Sequence, residues 1–142
     1  MERFVWQSRI RFVDTDATAR IHYTAVFRHF EIAEDEFFRH LGFPYNTRDS
    51  AVSYPRVRVE AEYLAALAYE DVVDVVVMLE RIGRSSYTLA FQMEKAGATA
   101  ARGKITVVCM DLASGRSRPL PEDLVQAMAL YQQPPEPAHT GG

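Results

Sequence analysis

The sequence predicts a single α+β domain, an antiparallel sheet of about five strands wrapped around one long central helix. Three observations carry that reading. Near the N-terminus, apolar residues recur with a period of two. Between residues 23 and 41 the period lengthens to three or four, with bulky aromatics on the repeating face. Four later segments return to strand-like composition, and two of their joints contain glycine. A chain that groups its strands after one helix, rather than alternating them with helices, favours α+β over a parallel α/β fold.

Each element has its own signal. Over residues 4–13, Phe4, Trp6, Ile10 and Phe12 share one parity, and Gln7, Arg9 and Arg11 take the other. This is the pattern of a half-buried strand. Residues 14–20 break the alternation and form a loop. Across residues 23–41, Val26, Phe30, Ala33, Phe37 and Leu41 form one face, opposite Arg28, Glu31, Asp35 and Arg39. That spacing predicts an amphipathic helix of about five turns. Phe27, Phe30, Phe37 and Phe38 are assigned to the core, and His29 and His40 to the solvated face. Gly42 stands where helices commonly end on a left-handed residue.

Residues 44–53 are read as a loop. Residues 54–63 alternate Val57, Val59, Ala61 and Tyr63 with Arg58, Glu60 and Glu62. A strand with one charged face suits an edge or a partner's surface. Residues 71–82 are Val-rich and nearly continuous, which predicts burial on both faces. Residues 86–94 alternate again, and residues 98–111 carry Ile105, Val107, Val108 and Met110. Gly83 and Gly97 lie in the joints, so these last three strands should form an antiparallel meander. After a loop over 112–120, Pro121 suits the first turn of a short helix with Leu124, Val125, Met128 and Tyr131 on its apolar face. The domain is placed at residues 1–132, followed by a flexible Pro/Gly-rich tail at 133–142.

Composition narrows the function classes. The 142 residues suit one domain. They are 48% hydrophobic and 25% charged, as in ordinary globular proteins. The formal net charge is −3, without the basic surplus that duplex binding demands, so no nucleic-acid partner is predicted. Cys109 is the single cysteine, which excludes an intrachain disulfide and suggests a small buried apolar residue. No signal-peptide pattern and no apolar run of about 18 residues is present, and a cytoplasmic location is predicted. The phosphate-loop, dinucleotide, zinc-protease, CxxC and GxSxG patterns are all missing. His22, His29, His40 and His139 lack zinc-ligand spacing, so no metal is expected.

Chemistry concentrates at Asp14-Thr15-Asp16, followed by His22-Tyr23 and the helix start. By residue type alone, such aspartates serve equally as turn stabilisers or as charges offsetting a helix dipole. The block Arg9-Ile10-Arg11-Phe12-Val13-Asp14-Thr15-Asp16, continued through Phe27-Arg28-His29-Phe30-Glu31 and Phe37, resembles the opening of hotdog-fold acyl-CoA thioesterases. These are the relatives of 4-hydroxybenzoyl-CoA thioesterase and of the Tol–Pal-associated acyl-CoA thioesterase. The resemblance continues through Tyr63-Leu64-Ala65-Ala66-Leu67, Asp71 and Gly83-Arg84-Ser85-Ser86-Tyr87, and ends at Leu120-Pro121. It implies a hotdog domain that hydrolyses acyl-CoA and self-associates as a dimer or tetramer.

The resemblance also implies roles. It places the catalytic carboxylate on Asp16 and the oxyanion-facing backbone N–H at or near Tyr23. The Tol–Pal-associated type carries histidine at the Tyr23 position, whereas this chain offers His22 next door, which joins Asp16 and Tyr23 as a catalytic candidate. Asp14 supports the loop. Arg84, Ser85 and Ser86 fall where the family contacts the coenzyme A nucleotide; an exposed hairpin arginine is the plain alternative. Ala19 replaces a usual glycine, Arg20 a usual aliphatic residue, and Ala66 and Glu70 stand where many members have Pro and Gly.

These parts suffice for thioester hydrolysis. A helix N-terminus offers unpaired N–H groups to a developing oxyanion. A thiol of pKa about 8.5 leaves without a strong general acid. One carboxylate then acts as nucleophile or general base, and no cofactor is needed. Acyl carrier protein thioesters are an alternative substrate, favoured by a basic rim of Arg81, Arg84, Arg116 and Arg118. A non-catalytic acyl-CoA-binding protein is another reading.

Overall fold

The protein is described from a computed structural model that covers residues 2–133. The predicted tail from residue 134 onward lies outside the described residues. In chain order the elements are β1 (Phe4–Arg9), α1 (Ala25–Leu41), β2 (Val52–Ser53), β3 (Arg56–Tyr63), β4 (Val72–Ile82), β5 (Ser86–Lys95), β6 (Ala98–Val108), β7 (Met110–Asp111) and α2 (Glu122–Ala129).

β1 ends four residues before the alternation does, because Phe12–Asp14 winds into a 3-10 turn. The Asp14 carboxylate closes that turn by accepting the Arg11 N–H at 2.8 Å. α1 begins two residues later than its periodicity, since His22 and Thr24 take up the first turn's donors. The His22 carbonyl accepts the Ala25 N–H at 2.9 Å. At the other end Gly42 has φ 90°, and its N–H reaches the Phe38 and Arg39 carbonyls. Glycine adopts that backbone without a Cβ penalty.

The main sheet is antiparallel throughout, in the order β1-β4-β5-β6-β3. The predicted meander is β4-β5-β6, and the predicted edge strand is β3. The segment read as one strand over 98–111 is two: the Cys109 N–H turns to the Ser85 carbonyl, and β7 leaves to pair with β2. β4 corrects another expectation. Its first half alternates, with Val73 and Val75 buried between exposed Val72 and Asp74, and unbroken burial holds only from Val75 to Leu79. There the chain following α2 packs on it, and Leu79 exchanges hydrogen bonds with Tyr131 and Gln133.

The core lies between α1 and the sheet. Val26, Phe30, Ala33, Phe37 and Phe38 of α1 are fully buried, while Phe27 is only half-buried. Phe30 stacks on Phe91 with ring centroids 4.8 Å apart. Beneath it, Gly103 of β6 leaves no room for a side chain. A Cβ there would meet the Phe30 ring at 2.6 Å and the Glu60 carbonyl of β3 at 2.5 Å. A polar clasp joins α1 to the start of β3. Buried Glu34 accepts the Tyr45 hydroxyl at 2.5 Å and the Arg56 guanidinium. Burial, then the Glu34 charge, pushes the Tyr45 phenol up to about 12. Among the described residues, no helix is long and apolar enough to cross a membrane.

Candidate functional site

The loop between β1 and α1 is held by its own backbone. The Asp16 N–H reaches the Arg20 carbonyl at 2.8 Å, the Ala19 N–H the Asp16 carbonyl at 3.0 Å, and the His22 N–H the Asp14 carbonyl at 2.7 Å. The Ile21 N–H ties it to the Leu67 carbonyl at 2.8 Å. Ala19 sits at φ 61° and Glu70 at φ 75°, so both keep a left-handed backbone without glycine. Such a residue costs about 1–2 kcal/mol, which this lattice of hydrogen bonds offsets.

Asp16 is exposed at the turn. Its Oδ1 accepts the Thr18 hydroxyl at 2.6 Å and the Thr18 N–H at 2.8 Å. These two donors hold the carboxyl below the usual 3.8, with smaller help from the Arg20 backbone and the His22 charge. Hydrogen bonds that favour the charged form have this sign.

His22 Nδ1 accepts the Thr24 N–H at 3.2 Å and lies 2.7 Å from the Thr24 hydroxyl. The imidazole therefore works as a cap on the helix start and stacks on Tyr23 at 4.5 Å between centroids. The Tyr23 side chain is exposed, and its carbonyl accepts the Tyr63 hydroxyl from the end of β3. No described residue accepts the Tyr23 N–H. Asp16, His22 and Tyr23 thus share one loop-to-helix segment.

Arg84, Ser85 and Ser86 do not join them. The Arg84 carbonyl accepts the Leu120 N–H, and Ser86 pairs with Val108 at the end of the sheet where β3 begins. Asp16 belongs to the end where β3 finishes at Tyr63, which pairs with Ala101. Ala101 also pairs with Met93, so the stretch of β5 from Ser86 to Met93, roughly 23 Å, separates the two ends within one chain.

His29 corrects the sequence reading. It is buried, at 3% exposure, and lies on the face that α1 turns inward. Its Nε2 is 2.9 Å from Asp14 Oδ2, and its Nδ1 is 2.7 Å from the Ser8 hydroxyl. Arg28 reaches the other Asp14 oxygen at 3.2 Å. Two signals pointed to this chain. Ser8 interrupts the apolar parity of β1, and His29 falls three residues after Val26 and four before Ala33, inside the apolar stripe. His40 stays at the exposed face and meets the Tyr131 hydroxyl at 3.1 Å. Among the described residues, no group of three His, Cys, Asp or Glu side chains comes together as a metal site.

Comparison with known proteins bears on this arrangement. The sequence profile of the thioesterase-like superfamily matches residues 10–128. A protein of Aquifex aeolicus (strain VF5), provisionally named an esterase, is 31% identical over 126 residues, covering 88% of this chain and 97% of that one. The 1,4-dihydroxy-2-naphthoyl-CoA hydrolase of Prochlorococcus marinus (strain NATL1A) is 31% identical over 97 residues, 62% of this chain and 65% of that protein. Among solved structures, a gentisyl-coenzyme A thioesterase superposes with a TM-score of 0.79 at 25% identity, over 87% of this chain and 98% of that one.

Proposed function

The chain belongs to the thioesterase-like superfamily, and from that premise we propose that it hydrolyses acyl-CoA to a carboxylic acid and coenzyme A. The observation that supports this most is an exposed, ionised Asp16 carboxylate on the loop that leads into a helix start with an unpaired Tyr23 N–H. In this reading the thioester carbonyl oxygen points at the helix start. Asp16 attacks the carbonyl carbon, or takes the proton of an attacking water. The oxyanion forms against the Tyr23 N–H and the positive end of α1, and collapses with loss of the thiolate; on the nucleophilic route this leaves a mixed anhydride on Asp16, which water then hydrolyses to release the acid and restore the carboxylate. His22 holds the helix start in shape, since Thr24 occupies its Nδ1. Two relatives named for hydroxylated aromatic acyl-CoA esters favour an aromatic acyl group here as well.

The site takes groups from two chains. β3 is an edge strand, and its Val57 and Val59 are 61% and 52% exposed. Antiparallel pairing of β3 with its copy covers this edge and turns the Arg84 end of one chain toward the Asp16 end of the other. Arg84, with Ser85 and Ser86 beside it, then meets the coenzyme A phosphates.

Turnover of a panel of acyl-CoAs, read by a thiol-reactive dye, tests the reaction. Asp16→Asn should lower kcat at least about a hundredfold with KM little changed, as for a positioned acid–base group. A variant retaining more than half of the wild-type kcat removes Asp16 from the mechanism. Turnover confined to acyl carrier protein thioesters, or binding without turnover, would replace the reading with one of its alternatives.

A further inference from the structure

A cavity of about 390 Å³ opens between β1 and α1. It lies at the β1 edge of the sheet, opposite β3, and its wall contains none of the residues assigned to hydrolysis. Trp6, Ile32 and Val72 supply apolar wall, and Arg9, Arg11 and Arg28 supply charge, Arg9 being paired with Glu70 at 3.6 Å. Between them the buried Asp14–His29 pair forms part of the lining.

We propose that this cavity binds a small amphiphilic carboxylate, its apolar body against Trp6 and Ile32 and its carboxylate at Arg11 and Arg28. The charge balance supports an anion. Asp14 already has its oxygens answered by Arg28 at 3.2 Å, by His29 at 2.9 Å and by the Arg11 N–H at 2.8 Å. The Arg11 side chain makes no ion pair with any described residue, so the wall keeps a positive excess. The apolar part supports an amphiphile over a bare inorganic anion, since Ile32 and Val72 are 39% and 38% exposed beside the arginines. The volume is at the low end of small-ligand pockets and fits a body of eight or so carbons. A second copy of this chain fits less well. Twofold contact across this groove brings its arginine-rich wall against an identical arginine-rich wall, which like-charge repulsion opposes.

Trp6 is the only tryptophan of the chain, so its emission reports the cavity directly and without reference to hydrolysis. Octanoate is titrated into the full chain and compared with 1-octanol of the same length. A saturable emission change is expected with octanoate, with 1-octanol binding at least about tenfold more weakly. Arg11→Ala should weaken octanoate at least about tenfold, while Asp16→Asn leaves it unchanged. Equal binding of the alcohol, indifference to Arg11→Ala, or no emission change with octanoate each overturns the proposal. So does emission that follows protein concentration in place of ligand, which assigns the groove to a second copy. An inactive hydrolase that still binds octanoate in this way leaves the cavity assignment standing.

Discussion

Asp14 and Asp16 stand two residues apart and have opposite surroundings. Asp14 is 2% exposed and answered by an arginine, a histidine and a backbone N–H. Asp16 faces water, its charge favoured by Thr18. That difference sets a pH dependence. In the proposed mechanism the Asp16 carboxylate acts as its anion, and its folded pKa is lowered, so the charged form persists as pH falls and is lost only below about 3.8. The acid limb of kcat/KM should therefore lie below pH 4. Thr18→Val removes the hydroxyl donor but keeps the N–H, and should move that limb upward toward 3.8 with activity at pH 7 nearly unchanged. An acid limb above pH 5 in the wild-type profile contradicts this account. At this scale the aspartate pair and the helix start were legible, because their spacing is local. The His29 partnership was not: His29 was assigned to the solvated face although it falls inside the apolar stripe, because no local pattern shows the carboxylate 15 residues earlier that makes its burial tolerable.

Elements were legible where local pattern and tertiary demand agreed. The alternation of β5 and the aromatic stripe of α1 are such cases. β6 shows the other situation. Val108, Cys109 and Met110 continue strand propensity, yet the ladder breaks at Cys109 because its N–H and carbonyl serve Ser85 and Arg118. Gly103 was a mark left unread: glycine inside a strand signals close backbone approach, here of α1 through Phe30. Gly103→Ala forces a methyl against the Glu60 carbonyl, and backbone cannot yield as a flexible side chain does. Overpacking of this kind costs roughly 1–3 kcal/mol. At about 4 °C per kcal/mol for a domain of this size, thermal unfolding should come several degrees earlier. An unchanged midpoint by circular dichroism means that the helix and sheet have slack at this crossing.

The whole molecule poses a question that one chain leaves open, for Asp16 and Arg84 lie at opposite ends of the sheet. The β3 edge carries the answer that the physics favours. Unpaired strand edges with exposed Val57 and Val59 invite pairing, and a twofold axis across β3 reverses the direction of the second sheet. Light scattering at micromolar concentration should then give at least twice 16.1 kDa; full activity at the monomer mass defeats the arrangement. Arg84→Ala should raise KM for acyl-CoA with kcat nearly unchanged, and leave a short pantetheine thioester unaffected, since only the nucleotide contact is lost. Chain mixing then decides whose Arg84 serves which Asp16. Asp16→Asn and Arg84→Ala chains are exchanged in equal amounts and assayed at substrate far below KM. If each site draws Asp16 from one chain and Arg84 from the other, random pairing leaves about a quarter of all sites with both native groups. The mixture then recovers about a quarter of wild-type kcat/KM, well above the Arg84→Ala chains alone if their own loss is tenfold or more. If each site is built within one chain, no native site can form, and the mixture stays at half the value of the Arg84→Ala protein despite confirmed exchange.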